Sequence, residues 1–148
     1  MASQLNRPLT VQSESFVDSL LAAQDISTLA FIAVRQLDEL GLQQVQLIWN
    51  HLPSDPGSLR TSNDGSPDAA TLALVETARR HGGKAQSSVA PSGMVHLVQV
   101  LAQNTGLWVA LSVRFDPALV DPHWQARIAP LAVRSQSLLY TQRLQVDV

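Results

Sequence analysis

The chain has no cysteine and a single lysine, Lys84. Without thiols there is no disulfide, no thiolate metal site, no cysteine nucleophile and no thioether-linked chromophore. Charge of either sign is scarce. Asp, Glu, Lys and Arg make up 15% of the 148 residues, ten basic against twelve acidic, for a net charge of −2. Nucleic-acid binding needs a basic stripe to neutralise phosphates; the arginines are scattered, so no nucleic-acid partner is expected. No apolar run reaches the roughly 20 residues of a membrane span. The start, Met1–Pro8, lacks the apolar centre of a secretory signal. Together these absences point to a cytoplasmic chain with no membrane partner. Apolar residues stand at an ordinary 45%. With so little charge, much of the surface is expected to be covered by the chain's own helices, a second copy or a neighbouring domain.

Residues 1–12 read as a leader, with Pro8 opposing an early helix, and residues 13–148 as one domain. Ser13–Gln24 reads as helical, with Phe16, Leu20 and Ala23 on one stripe. Ser27 is placed to cap a second helix to Leu40. There Ile26, Leu29, Ala30, Ala33, Leu37 and Leu40 share a face and Gly41 supplies a left-handed stop. Gln44–His51 alternates as a strand, and Leu59–Ser62 is a short second one. Asp68 is placed to cap a helix to about Arg80, and Gln86–Val89 is a further short strand.

The last third carries the strongest signal. Met94–Ala102 and Gly106–Phe115 flank the turn Gln103–Gly106, and both faces of both runs are apolar. A sheet with one wet face alternates apolar with polar; this hairpin is therefore expected to be covered on both sides. A final helix opens at Asp121 or Pro122. Pro130 interrupts its pattern, which implies a kink, a late start near Pro130, or two separate helices. The fold class is α+β: a central antiparallel sheet of about five to six strands, the N- and C-terminal helices on one face, the middle helix and loops on the other.

Three features carry a family resemblance: the helix–Gly–strand unit Leu29–Trp49, ending LDELGLQQVQLIW; the strand entry Val89-Ala90-Pro91; and the hairpin Met94–Phe115 followed by a loop and a long helix. Over Ser13–Arg143 the chain resembles a GAF domain; a PAS-like or profilin-like sheet-and-helix domain is the alternative. The resemblance implies a non-catalytic regulatory or sensor domain of bacterial-type signal transduction. It would have a small-molecule pocket between the sheet and the layer of middle helix and loops, a homodimer formed through the terminal helices, and a downstream output domain. Members that attach bilins or reduce methionine sulfoxide need cysteine, so those chemistries are excluded here. The Asn-Lys-Phe-Asp-Glu signature of cyclic-nucleotide binders is missing, so no cofactor or ligand can be named. A ligand-free association module with a degenerate pocket is the second functional reading.

The candidate ligand-binding residues are Trp49, His51, His96, Trp108, Ser112 and Arg114. His51 closes the first strand, at a sheet border. His96 sits inside an apolar strand, where the competing reading is a core histidine bonded to a backbone carbonyl. Trp49 and Trp108 lie on strands expected to be neighbours and serve equally as core anchors. On the last strand, Leu107, Val109, Leu111 and Val113 are the bulkier set and should face the terminal helices. The smaller set, Trp108, Ala110, Ser112 and Arg114, would then border the cavity, with Arg114 offering a fork to an anion. Arg79 and Arg80 read as a solvated helix end, favourable at the negative pole of the helix dipole. Phe16, Leu20, Leu131, Leu138 and Leu139 are the candidate dimer contacts on the terminal helices. No Gly-x-Ser-x-Gly elbow, phosphate loop or histidine spacing for a metal is present, so no catalytic residue is expected.

Overall fold

The structure, a computed structural model, describes residues 17–50, 59–62, 66–104 and 106–147. Two of the expected site residues, Phe16 and His51, lie outside the described residues. The elements run α1 (residues 17–22), α2 (Ile26–Asp38), β1 (Gln44–Asn50), β2 (Leu59–Thr61), α3 (Ala69–Arg80), β3 (Gln86–Val89), β4 (Val95–Asn104), β5 (Leu107–Phe115), a 3-10 turn (Trp124–Arg127) and α4 (Ile128–Asp147). The strands form one five-stranded antiparallel sheet in the order β2-β1-β5-β4-β3. No described helix is long and apolar enough to cross a membrane.

β5 is the centre of this sheet, and its neighbours on both sides are long. From Leu107 to Val113 every residue of β5 is buried. Leu107, Val109, Leu111, Val113 and Phe115 pack into a large core beneath α1, α2 and α4. Trp108 and Ala110 point the other way, joining Ile48, Val98 and Val100 under Val75 and Ala78 of α3. The bulkier set thus faces the terminal-helix layer, as the side-chain sizes imply. One irregularity departs from the strand period. The β4–β5 register shifts between Val100 and Ala102, which leaves Leu101 as an extra residue. The bulge turns both Leu101 and Ala102 toward the larger core. The hairpin is also longer than its sequence suggests: pairing continues to Asn104–Leu107, so the loop is two residues. Asn50 ties its end to β1. Its amide nitrogen donates to the Gly106 carbonyl (2.5 Å), and its amide oxygen accepts from the Trp108 N–H (2.8 Å).

The helix ends follow local chemistry. α2 is capped by Asp25, not Ser27: Oδ1 of Asp25 accepts from the Thr28 N–H at 2.7 Å, and the helix therefore starts two residues earlier, at Ile26. It also stops at Asp38, short of Leu40. Gly41 has φ +96°, and a Cβ there would sit 2.8 Å from the Leu119 carbonyl oxygen, so a side chain is barred by both conformation and space. α3 is capped by Asp68. Pro130 produces no break within α4. The 3-10 turn ends at Arg127 and α4 begins at Ile128, so Pro130 lies in the first turn, where its missing N–H has no intrahelical partner to lose. Trp124 docks edge-to-face on Phe115, ring centres 5.2 Å apart. Arg134 of α4 holds α1 in place, Nε and a terminal nitrogen donating to the Leu20 and Ala23 carbonyls at its C-terminal end.

Four expected dimer contacts are corrected by this packing. Leu20, Leu131, Leu138 and Leu139 are buried in the chain's own core. Their apolar area is already spent against the sheet and is closed to a second copy. Among the described side chains, the large apolar ones that α1 and α4 leave exposed are Val17, Leu21, Val133 and Tyr140.

Truncating a fully buried side chain at the centre should cost far more than truncating an exposed one. Leu111→Ala should lower unfolding free energy by about 2–5 kcal/mol, and Leu119→Ala, at a position 70% exposed, by no more than about 0.5 kcal/mol. Urea unfolding of the two variants checks this.

Candidate functional site

Three elements, β4, β5 and α3, bring polar side chains together on the α3 side of the sheet. The β4–β5 register pairs His96 with Arg114 and Val98 with Ser112. Residues two apart on a strand share a face, so His96, Ser112 and Arg114 all point toward α3. The first turn of α3 adds Asp68 and Thr71. His96 Nε2 lies 2.9 Å from Ser112 Oγ and 3.4 Å from Thr71 Oγ1. All three residues are buried. At the strand's end Arg114 emerges half-buried. One terminal nitrogen donates to Asp68 Oδ2 at 2.7 Å and the other to Gln44 Oε1 at 2.8 Å. The second carboxylate oxygen of Asp68 accepts from the Thr71 N–H at 2.8 Å. One carboxylate thus caps α3 and binds it to the sheet.

The electrostatics follow from these contacts. Hydrogen bonds from Thr71, and then that from Arg114, hold the Asp68 carboxyl far below the usual carboxylate range. Burial first, and the Arg114 charge second, push His96 below its ordinary value of 6.5; Asp68 opposes them. His96 is therefore neutral at pH 7, with a hydroxyl on either side of Nε2. Partial burial raises the Asp38 carboxyl.

Around Arg114 opens a cleft of about 560 Å³. Val34 and Asp38 of α2, Gln43, the first residues of β1, Ser66, Asp68, Thr71, Ser112 and Arg114 line it. The space beneath the body of α3 is filled: Val75 and Ala78 meet Ile48, Val98, Val100, Trp108 and Ala110. The open volume lies instead at the N-terminal end of α3, where those apolar side chains run out.

Of the described candidates, the structure gathers His96, Ser112 and Arg114, and separates the two tryptophans from them. Trp49 pairs with Val109 and faces the terminal-helix core, a full sheet thickness away. Trp108 shares the α3 face but lies at its other end, beneath the Arg79 guanidinium (5.3 Å from the ring centre). Arg79 is thus a packing residue as well as a partner of Glu76 (3.5 Å). His96 bonds side-chain hydroxyls, not the backbone carbonyl expected of a core histidine. Sequence reasoning missed Gln44, Thr71 and the second role of Asp68. Asp68 was legible as a cap, but nothing in the sequence ties it to an arginine 46 residues away. Among the described residues no group of three or more His, Asp and Glu is placed to hold a metal ion.

No protein-family model matches the chain, and no curated protein sequence matches it.

The depressed value of His96 fixes the sign of a pH effect. Below pH 6.5 the unfolded chain binds a proton that the folded chain resists, so stability falls as pH drops from 6.5 through the lower folded value. Denaturant unfolding between pH 8 and pH 5 should show this loss in the wild type. His96→Gln should remove that part of the slope, leaving the carboxylate contribution at more acidic pH; an unchanged slope in the variant contradicts the assignment.

Proposed function

We propose that the chain is a non-catalytic regulatory domain of GAF-like architecture that senses a small anionic molecule in the cleft at Arg114. In this reading it works in the cytoplasm and passes its state to an output module of a bacterial-type signalling protein. The observation that carries the proposal is the pairing of Arg114 with Asp68 at the mouth of the cleft. An incoming carboxylate or phosphate competes with Asp68 for the guanidinium fork. Asp68 also caps α3, so occupancy alters how the first turn of α3 is tied to the sheet. A ligand that binds one arrangement better shifts the population toward it.

The Ser112–His96 contact has the reach of a nucleophile–base pair, but its setting supports a structural role. Ser112 is 4% exposed, Nε2 of His96 is shared with Thr71, and no described carboxylate orients the other ring nitrogen. A second reading, a ligand-free association module, is favoured by the filled core beneath α3 and by the exposed Val17, Leu21, Val133 and Tyr140.

A thermal-shift panel of small carboxylates and phosphates separates the two. At a hundredfold excess over Kd a ligand adds about 2.7 kcal/mol, enough to raise Tm by several degrees. At least one anion should do so, and Arg114→Gln should abolish the shift. No shift anywhere in the panel, or a shift that survives in Arg114→Gln, overturns the proposal.

A further inference from the structure

We infer, resting on the reading of the cleft as a site for an anionic group, that the molecule taken up at Arg114 is an α-amino acid, its carboxylate on the guanidinium and its ammonium on Asp68. Among the described residues that line the cleft, one guanidinium, that of Arg114, stands against two carboxylates, Asp38 and Asp68. Asp38 makes no ion pair among the described residues. His96 touches the lining residues Thr71 and Ser112 but adds no second cation, because burial and the Arg114 charge hold it neutral at pH 7. The cleft, about 560 Å³, falls within the roughly 300–1,000 Å³ of small-molecule sites.

A plain anion suits this wall poorly. To reach the guanidinium fork it takes the place of Asp68, whose Oδ2 accepts from Arg114 at 2.7 Å. The displaced carboxylate gains no proton in exchange. Hydrogen bonding from Thr71, which does most to hold Asp68 ionised, falls on its other oxygen and outlasts the exchange. The anion and both carboxylates would then share one guanidinium, and like charges so placed oppose one another.

An ammonium on the same molecule removes the conflict. Arg114 and Asp68 are in direct contact, so the two ligand groups that come between them must be neighbours as well. In an α-amino acid the ammonium is one carbon away from the carboxylate. With that carboxylate on the Arg114 fork, the ammonium meets the Asp68 oxygen that the fork released, and a charge-assisted hydrogen bond is made on each side. The ligand inserts into the ion pair instead of leaving one half of it alone. A bare amine would satisfy Asp68 but leave Arg114 with Gln44, a neutral partner.

Calorimetric titration of the whole chain tests this with the standard L-amino acids, small carboxylates and inorganic phosphate. Amino acids that bind are compared with two analogues. One lacks only the ammonium (3-hydroxypropionate for serine, isovalerate for valine) and one only the carboxylate (ethanolamine, isobutylamine). At least one amino acid should bind about tenfold or more tighter than either analogue, the worth of one charge-assisted hydrogen bond, and Arg114→Gln should abolish its binding. Asp68→Asn keeps a capping side chain on α3 and removes the negative charge, so it should erase the preference for the amino acid over its ammonium-free analogue. An ammonium-free carboxylate or phosphate that binds as tightly as any amino acid, and is lost in Arg114→Gln, overturns the inference and leaves the anion reading standing. Binding by no compound overturns both. A preference that survives Asp68→Asn overturns the pairing of ammonium with Asp68.

Discussion

The burial of β5 on both faces is the constraint on which the rest depends. A strand with long partners on either side and helices above and below has no solvent-facing position until its end. That is why Leu107–Val113 tolerates one hydroxyl, that of Ser112, which meets His96. It is also why Arg114, the first position where the cover thins, carries the charge. An unpartnered hydroxyl or guanidinium deeper in the strand would cost about 1–3 kcal/mol or more. Polarity along β5 thus rises toward one end, and the polar cleft forms there.

The two covering layers are unequal. α1, α2 and α4 press a large apolar core against one face. α3 covers the other with Val75 and Ala78, helped by the half-buried Leu74 and the stacked Arg79. At its N-terminal end α3 is held by polar contacts, Asp68 to Arg114 and Thr71 to His96. Elements with few buried apolar contacts open most readily. The layer best placed to respond to a ligand is therefore the one the apolar core holds least.

Much of this was legible in the sequence, and the rest was not for identifiable reasons. Alternation along Leu107–Phe115 assigns each side chain to a face because the strand period is two. It does so for Trp108, and the same period along Gln44–Asn50 sets Trp49 with Val45 and Leu47; the two tryptophans lie on neighbouring strands, as expected, but on opposite faces. The bulge at Leu101 is invisible to the same rule, since an apolar residue suits either face. The stripe Leu131, Leu138, Leu139 shows that something apolar covers α4. It does not say whether that body is the chain's own sheet or another copy, and here it is the sheet. The start of α4 at Ile128, with Pro130 in its first turn, and the cap at Asp68 follow from backbone chemistry within a few residues. The Asp68–Arg114 pair does not, because it needs the sheet register and the seat of α3 together. Asp25 displaced Ser27 as a cap because both have a suitable oxygen and only the backbone path decides between them.

The measurement that bears most directly on the two-sided burial of β5 is amide hydrogen exchange resolved by residue. If β5 is sealed between both layers, the amides of Leu107–Phe115, alternate residues alike, exchange only through global unfolding and form the slowest group in the chain, with those of β3 and the first turn of α3 well ahead of them. Fast exchange along β5, at a rate matching β3 or α3, would show one broad face of the strand open to water and would contradict the account.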